Sequence, residues 1–428
     1  MSAAFFWILV LLMAFGTPVV FALLLGPGLS LLLDGETGYF PALLARFYNG
    51  IDSFPLLAVP FFILAGEIMN AGGITTSIVR FAQSLVGHVR GGLAQVNVLS
   101  SMIFAGISGS AVADASAIGK MLIPAMEREG YPRPFASAVT AAAAVIGPVI
   151  PPSGIMVLYG FVMNVSVGAL FAAGVVPGVL IGLGLMAVIR LLAKRYNLPL
   201  AKPRASWGER ASAFRGAWLA LLLPVILVGG MLSGVFTATE AASVAVAYAL
   251  FVTIFVTRNV DRAGLVAIFK ATALQSGVIL LLVGAAVTLG WLVTVSGLAK
   301  DIADAMLQIT DHVPTLLFMV NMLLLLVGMF LDAGPAILIL GPILSPVFIG
   351  LGVDPVHFAI IMCVNLTIGL ATPPMGLLLF VTASVAREKV ENIVRALVPF
   401  LALEILVIFI ITYFPSLVLT LPRLLGLA

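Results

Sequence analysis

The sequence predicts an all-α polytopic membrane protein built as an inverted repeat, with two re-entrant helical hairpins and two broken helices. Three observations carry this. The chain of 428 residues is 62% hydrophobic and 9% charged, with a mean hydropathy of +1.22, more apolar surface than a soluble domain can hide. "IGPVIPPSGIMVLYG" (Ile146 to Gly160) returns 222 residues later as "IGLATPPMGLLLFVT" (Ile368 to Thr382), both keeping Ile-Gly, Pro-Pro and Gly in register. Finally, a basic loop divides the chain near its middle.

Stretches of about 20 apolar residues, as in Ile393 to Leu421, fit a bilayer core of roughly 30 Å. A β-barrel would instead show short alternating strands. The net charge of +3 points to no nucleic acid, and the single cysteine, Cys363, excludes an internal disulfide and reads as a buried thiol. Phe5 to Leu33 is either one long span or a tight pair turning at Gly16-Thr17-Pro18. It is too long for a cleavable signal and lacks a basic front.

The first repeat, residues 1–193, holds the N-terminal spans, an interfacial arm at 40–53, a hairpin at 94–126, a broken helix at 133–164 and a span at 168–193. The loop 194–216 carries Lys194, Arg195, Lys202, Arg204, Arg210 and Arg215 against Glu209, so the positive-inside rule makes it cytoplasmic. The second repeat, 217–428, holds spans at 217–258, an arm at 261–273, a span at 274–296, a hairpin at 313–350, a broken helix at 355–386 and a last span at 391–421. The arms have the mixed charge and apolar periodicity of interfacial helices.

Further matches support the repeat: Gly66 and Gly73 with Gly290 and Gly297, Arg46 with Lys270, Asp114 and Pro124 with Asp332 and Pro342. Five crossings separate the two aspartate segments (133–164, 168–193, 217–235, 238–258 and 274–296). An odd number means the second repeat enters from the opposite face. Charge agrees: the outer segment Lys300 to Asp311 has three aspartates and one lysine, whereas Arg80, Arg90, Arg258, Arg262, Arg387 and Lys389 fall inside. The apolar arms around "GISGSAVADAS" and around Gly328 to Pro335 are too short to cross at roughly 1.5 Å per residue, so both read as hairpins with tips inside the membrane. A continuous kinked helix is the alternative.

Unpaired backbone groups cost several kcal/mol in lipid. A broken helix facing a hairpin tip therefore makes an ion site: freed carbonyls and hydroxyls for a cation, helix N-termini for an anion. The first site draws on Ser108, Ser110, Gly147, Ile150 and Ser153. The second draws on Gly328, Asp332, Gly369, Thr372 and Met375. Asn365, Thr367 and Asp114 are candidates for the transported molecule or the ion. The competing reading of each small residue is ordinary helix packing. Asp114 and Asp332 are membrane charges in equivalent places, which favours a shared role. Glu67 and Glu240 read equally as structural hydrogen-bond partners, and Lys120 as a side chain reaching the surface.

At "GISGSAVADASAIGKMLIPAM", "IGPVIPPSGIMVLYG", "GVFTATEAASVAVAYAL" and "NLTIGLATPPMGLLLFV" the chain resembles, over essentially its whole length, the large membrane subunit of the tripartite ATP-independent periplasmic (TRAP) transporters. The resemblance implies a sodium-driven secondary importer of organic anions such as carboxylates or sialic acid, using an elevator motion in the bacterial inner membrane. It implies two partners, a small four-helix membrane subunit and a soluble periplasmic substrate-binding protein. It implies no cofactor, with sodium at no fewer than two sites, best supported at Gly328, Gly369, Thr372 and Met375.

Three rivals remain. Gly106-Ile107-Ser108-Gly109 is similar to the nucleophile loop of rhomboid proteases, but a serine nucleophile needs a base; His88, His312 and His357 each read as surface residues near loops or span ends. A sodium- or proton-coupled anion symporter or antiporter without a binding protein would share the architecture, with Asp114 or Asp332 carrying the proton. A channel fits poorly with two pinched, symmetry-related sites.

Overall fold

The computed structural model of the chain describes residues 4–199 and 203–427; Lys202 of the basic loop lies outside them. The described residues are helical with no strand, and seven helices are long and apolar enough to cross a membrane. In lipid this follows from the backbone: each amide and carbonyl must be satisfied within its own segment.

The N-terminus is a tight pair. α1 (Ala4–Ala14) packs on α2 (Val19–Leu33), and the turn between them carries Gly16 at φ 80. Next come α3 (Phe40–Ile51), α4 (Ala58–Ala71) and α5 (Ile74–Val86). α6 (Gly92–Ser108) and α7 (Ala111–Arg128) form a helical hairpin, followed by α8 (Arg133–Ala144), a break, α9 (Gly154–Val162) and α10 (Val167–Leu192). In the second half α11 (Trp207–Leu232) and α12 (Ala238–Phe251), extended by a π-helical turn at Val252–Thr257, precede α13 (Arg262–Ser296) and α14 (Leu298–Ile309). A second hairpin of α15 (Val313–Gly328) and α16 (Ala333–Gly350) leads to α17 (Pro355–Gly369), a break, α18 (Leu377–Ala386), α19 (Val390–Tyr413) and α20 (Pro415–Leu424).

The element order recurs, and so do its backbone markers. Gly73 (φ 78) caps the start of α5 and Gly297 (φ 76) the start of α14, both left-handed. The peptide bonds Pro151-Pro152 and Pro373-Pro374 are both cis.

The structure departs from the sequence reading in four places. The arm at 261–273 and the span at 274–296 are one helix of 35 residues, α13, whereas the first copy is interrupted by Asp52 and by Pro55. Ile279 stands in the register of Pro55, so nothing in the second copy removes an amide from the ladder. The last span, set at 391–421, ends at Tyr413, because Pro415 opens a separate helix. α5 and α14 are amphipathic helices, where the sequence reading had used only their charges, as inner and outer segments, and set no helix. His357 is buried, not at the surface, with Nε2 2.8 Å from the Ile411 carbonyl oxygen.

The interior is formed by the two hairpins and the two broken helices, interlocked. α18 of the second repeat packs against α7 and α8 of the first, and α9 of the first against α16 of the second. Tyr159 on α9 donates to the Ser345 hydroxyl on α16 at 3.0 Å. Around them α12 packs on α4, α13 on α3 and α4, and α11 on α5. α15 and α17 meet through glycine: a Cβ built on Gly369 would lie 2.5 Å from the Gly328 Cα. Small residues are what let helix backbones approach this closely.

Gly369→Val is therefore expected to cost roughly 1–3 kcal/mol or more through overpacking. Gly350→Val, a glycine with open space at its Cβ position, serves as the control and differs only by helix propensity. Thermal unfolding of the detergent-purified protein checks this; equal midpoints for the two variants would refute the close contact.

Candidate functional site

A cavity of about 480 Å³ lies where the two hairpin tips approach each other. Its walls come from the first tip (Ser108, Gly109, Ser110), the first break (Pro148, Pro152), the second tip (Asp332, Ala333, Gly334) and the surrounding helices α4 and α13. Three helices begin at its edge: α7 at Ala111, α9 at Gly154 and α16 at Ala333. First-turn amides have no acceptor in their own helix, and the helix dipole makes that end positive. The cavity thus offers an anion the N-termini of α7 and α9, with no arginine or lysine in its lining, while the α16 N-terminus is capped by the Asp332 carboxylate.

The first tip is held by its own polar groups. α6 ends in Gly109 at φ 59, a left-handed conformation that favours glycine. A Cβ there would sit 2.6 Å from the Pro152 carbonyl oxygen, so the tip lies directly on the first break. Ser110 caps α7, its hydroxyl accepting from the Ala113 amide at 3.4 Å, and the Ser110 amide donates to the Ser108 hydroxyl at 3.3 Å. Ser108 donates to the Asp114 carboxylate, leaving the second carboxylate oxygen, Oδ2, buried and without a partner. That oxygen faces the break: a Cβ on Gly147 would stand 2.6 Å from it.

At the first break, helical hydrogen bonding ends at Ala144 and a series of turns runs to Ile150. Ser153 caps α9, accepting from the Met156 amide at 3.3 Å and donating to the Pro148 carbonyl. Ile150 is turned elsewhere, its side chain filling the space beside Gly178 of α10. No amide outside the helical ladders donates to the Gly147 or Ile150 carbonyl among the described residues.

The second tip differs from the first. Asp332 is exposed into the cavity and caps α16 through the Ala333 amide at 2.9 Å, whereas Asp114 is 1% exposed behind its tip. The sequence equivalence of the two acids therefore does not extend to their surroundings. At the second break Thr372 donates to the Ile368 carbonyl at 2.9 Å, and the Thr372 amide takes the Gly369 carbonyl at 2.9 Å. Met375 is 56% exposed.

The three residues that the sequence offered to the transported molecule or the ion lie away from the cavity lining. Asn365 is fully buried and donates to Asn321 on α15 at 2.8 Å and to the Ile361 carbonyl at 2.7 Å. Asn321 in turn donates to Thr412 on α19 at 3.0 Å, a polar chain tying three helices together. Thr367 is buried and donates to the Cys363 carbonyl at 2.6 Å. Asp114 faces Gly147 instead. Lys120 is exposed, and Glu240 closes a capping box with Thr237.

The sequence reading missed Gln275, the polar residue that α13 contributes to the cavity wall. It also missed Glu404, fully buried in α19 with both carboxylate oxygens unpartnered. An acid inside an apolar span was the available signal for Glu404; for Gln275 nothing but its polarity in α13 was. Among the described residues no group of three or more His, Cys, Asp or Glu converges, so a cation at the tips would rely on carbonyl and hydroxyl oxygens with at most one carboxylate from each aspartate.

The sequence matches the family described as "Tripartite ATP-independent periplasmic transporter, DctM component" over residues 6–417. It is 41% identical to the sialic acid TRAP transporter large permease protein SiaM of Vibrio cholerae, across 96% of this chain and 95% of that protein. It is 40% identical to the 2,3-diketo-L-gulonate TRAP transporter large permease protein YiaN of Escherichia coli, across 95% of each. It is 39% identical to the C4-dicarboxylate TRAP transporter large permease protein DctM of Pseudomonas aeruginosa, across 90% of each. Among solved structures, the YdaH transporter of Alcanivorax borkumensis shares the fold, with a TM-score of 0.65 at 17% identity over 90% of this chain and 89% of that one. These relatives are transporter permease subunits and not enzymes: the chain belongs to the DctM family and is a large permease subunit of a tripartite ATP-independent periplasmic transporter.

Proposed function

We propose that this chain imports a small organic anion of the carboxylate type across the bacterial inner membrane, driven by sodium and working by an elevator motion. The observation that carries the reading is the cavity between the two hairpin tips, at whose edge the N-termini of α7 and α9 begin with neutral serine caps; the third N-terminus, of α16, is already taken by the Asp332 carboxylate. Its partners would be a small membrane subunit and a periplasmic substrate-binding protein. The substrates named for the relatives, sialic acid and C4-dicarboxylates among them, are anions of this class.

Sodium would bind behind the tips. At the first, the Ser108 hydroxyl binds Asp114, the Asp114 Oδ2 is unpartnered and lies against Gly147, and the Gly147 carbonyl would complete the ligand set. A buried carboxylate oxygen without a donor is costly unless a cation completes it. Of the two roles the sequence left open to Asp114, this favours the ion. At the second, the Thr372 hydroxyl keeps its acceptor lone pairs while donating to Ile368. Filling each site would draw tip and break together and preform the cavity's N-termini, which couples ion and anion. The basic loop between α10 and α11 would face the cytoplasm.

In the motion, the interlocked hairpins and broken helices move as one body against α3, α4 and α11–α13. The cavity lies on that boundary, so the anion would be carried between its two walls.

The first test is uptake in proteoliposomes holding this chain with its small subunit and binding protein, under separately imposed sodium and proton gradients. Uptake should require inward sodium, and Thr372→Ala should raise the sodium requirement. Uptake driven by protons alone would overturn the sodium reading and favour the protonatable acids, Asp114 and Glu404. Gly147→Ala should weaken sodium binding and destabilise the protein. In an Asp114→Ala background its destabilising effect should shrink by about 0.5–3 kcal/mol; strictly additive effects would separate Asp114 from the break.

The motion has its own test. A Cβ on Gly290 of α13 would be 3.3 Å from the Pro342 Cβ of α16, close to the spacing a disulfide needs. Oxidising the Gly290→Cys/Pro342→Cys variant should stop uptake reversibly while sodium binding persists. Undiminished uptake with the bond closed would refute the division into moving and fixed helices.

A further inference from the structure

A second cavity, of about 420 Å³, opens between the end of α5 and the start of α11 and shares no lining residue with the cavity at the tips. Arg80, Gln83 and His88 line one side, Arg204 and Glu209 the other. Neither arginine has an ion-pair or hydrogen-bond partner among the described residues. The His88 Nδ1 is buried and unpartnered. The one acid, Glu209, is already engaged: its carboxylate accepts from the Ser206 amide at 2.6 Å as part of the capping box that starts α11. The cavity is therefore a built, net-positive recess whose donors have nothing to donate to.

Its level in the membrane is marked by the aromatic residues beside it. α11 begins with Trp207, 83% exposed, and continues with exposed Phe214 and Trp218. Arg210 stacks over the Trp207 ring at 5.2 Å. Exposed tryptophans at the start of an apolar span of 26 residues sit at headgroup depth, and α11 is the least buried of the spanning helices. Basic recesses between helices at this depth suit the headgroups of acidic lipids.

We propose that this recess binds the phosphate group of an acidic phospholipid. Arg80 and Arg204 clamp the phosphate oxygens, His88 donates from its ring, and the acyl chains lie along the exposed apolar face of α11. Guanidinium suits this role because it offers several donors to phosphate at once. A lipid held there would brace α11 against α5, a contact between the two repeats.

Native mass spectrometry of the full-length protein in detergent, titrated with phosphatidylglycerol or phosphatidylcholine, tests the proposal. Phosphatidylglycerol should bind in preference and raise the thermal midpoint. Arg204→Gln, a change at an exposed loop residue, should weaken phosphatidylglycerol binding about fivefold, and Arg80→Gln/Arg204→Gln roughly thirtyfold. Arg258→Gln/Arg262→Gln, which alters basic residues elsewhere, should leave it unchanged. Equal binding by Arg204→Gln, or equal losses in the control variant, would overturn the site. Stabilisation by inorganic phosphate alone, to the same extent as by the lipid, would overturn the lipid assignment in favour of a free-phosphate site.

Discussion

The structure depends on one constraint: a backbone polar group inside a membrane must find a partner. Most of the chain meets it by remaining helical. At four places it does not, namely two hairpin tips and two breaks, and there the structure supplies substitutes. Ser153 and Ser110 cap the helices that follow, Thr372 closes a turn onto Ile368, and Ser108 and Asp114 bind each other across the first tip. These substitutions are incomplete. Open first-turn amides remain at the cavity between the tips, and the Gly147 and Ile150 carbonyls and one oxygen of Asp114 remain at the first break.

The meeting of the tips follows from the interlocking of the repeats. Each broken helix crosses to pack on the hairpin of the other repeat, so the tips end up on opposite walls of one cavity, with α4 and α13 closing it. Within each repeat, hairpin and broken helix meet through small groups: Gly109 on the Pro152 carbonyl, Gly147 on Asp114, Gly328 on Gly369. Packing by small residues and provision of oxygen ligands are thus not competing explanations for these glycines. A backbone exposed by the lack of a side chain is both the packing surface and the candidate ligand.

The symmetry is real in the backbone and broken in the chemistry. Gly73 and Gly297 adopt the same cap, and both Pro-Pro bonds are cis. Yet Asp114 is buried behind its tip while Asp332 opens into the cavity. The two acids therefore have different surroundings: Asp114 is held against the first break, and Asp332 puts a carboxylate in the cavity wall at the start of α16.

The sequence by itself determined the helical membrane class, the duplication and the positions of the helix breaks, because these depend on local features. Apolar runs set the spans, and proline removes an amide wherever it stands. The places where the sequence reading failed required a third dimension. Asn365 and Thr367 stand next to the second break in sequence, yet their side chains are used by Asn321, the Ile361 carbonyl and the Cys363 carbonyl. Gln275 joins the cavity only because α13 runs unbroken past it. The separation of Asp114 from Asp332 could not be read from their equivalent positions. Which polar atoms are left over, and which face one another, is decided by packing between helices distant in sequence, and only the tertiary structure specifies that packing.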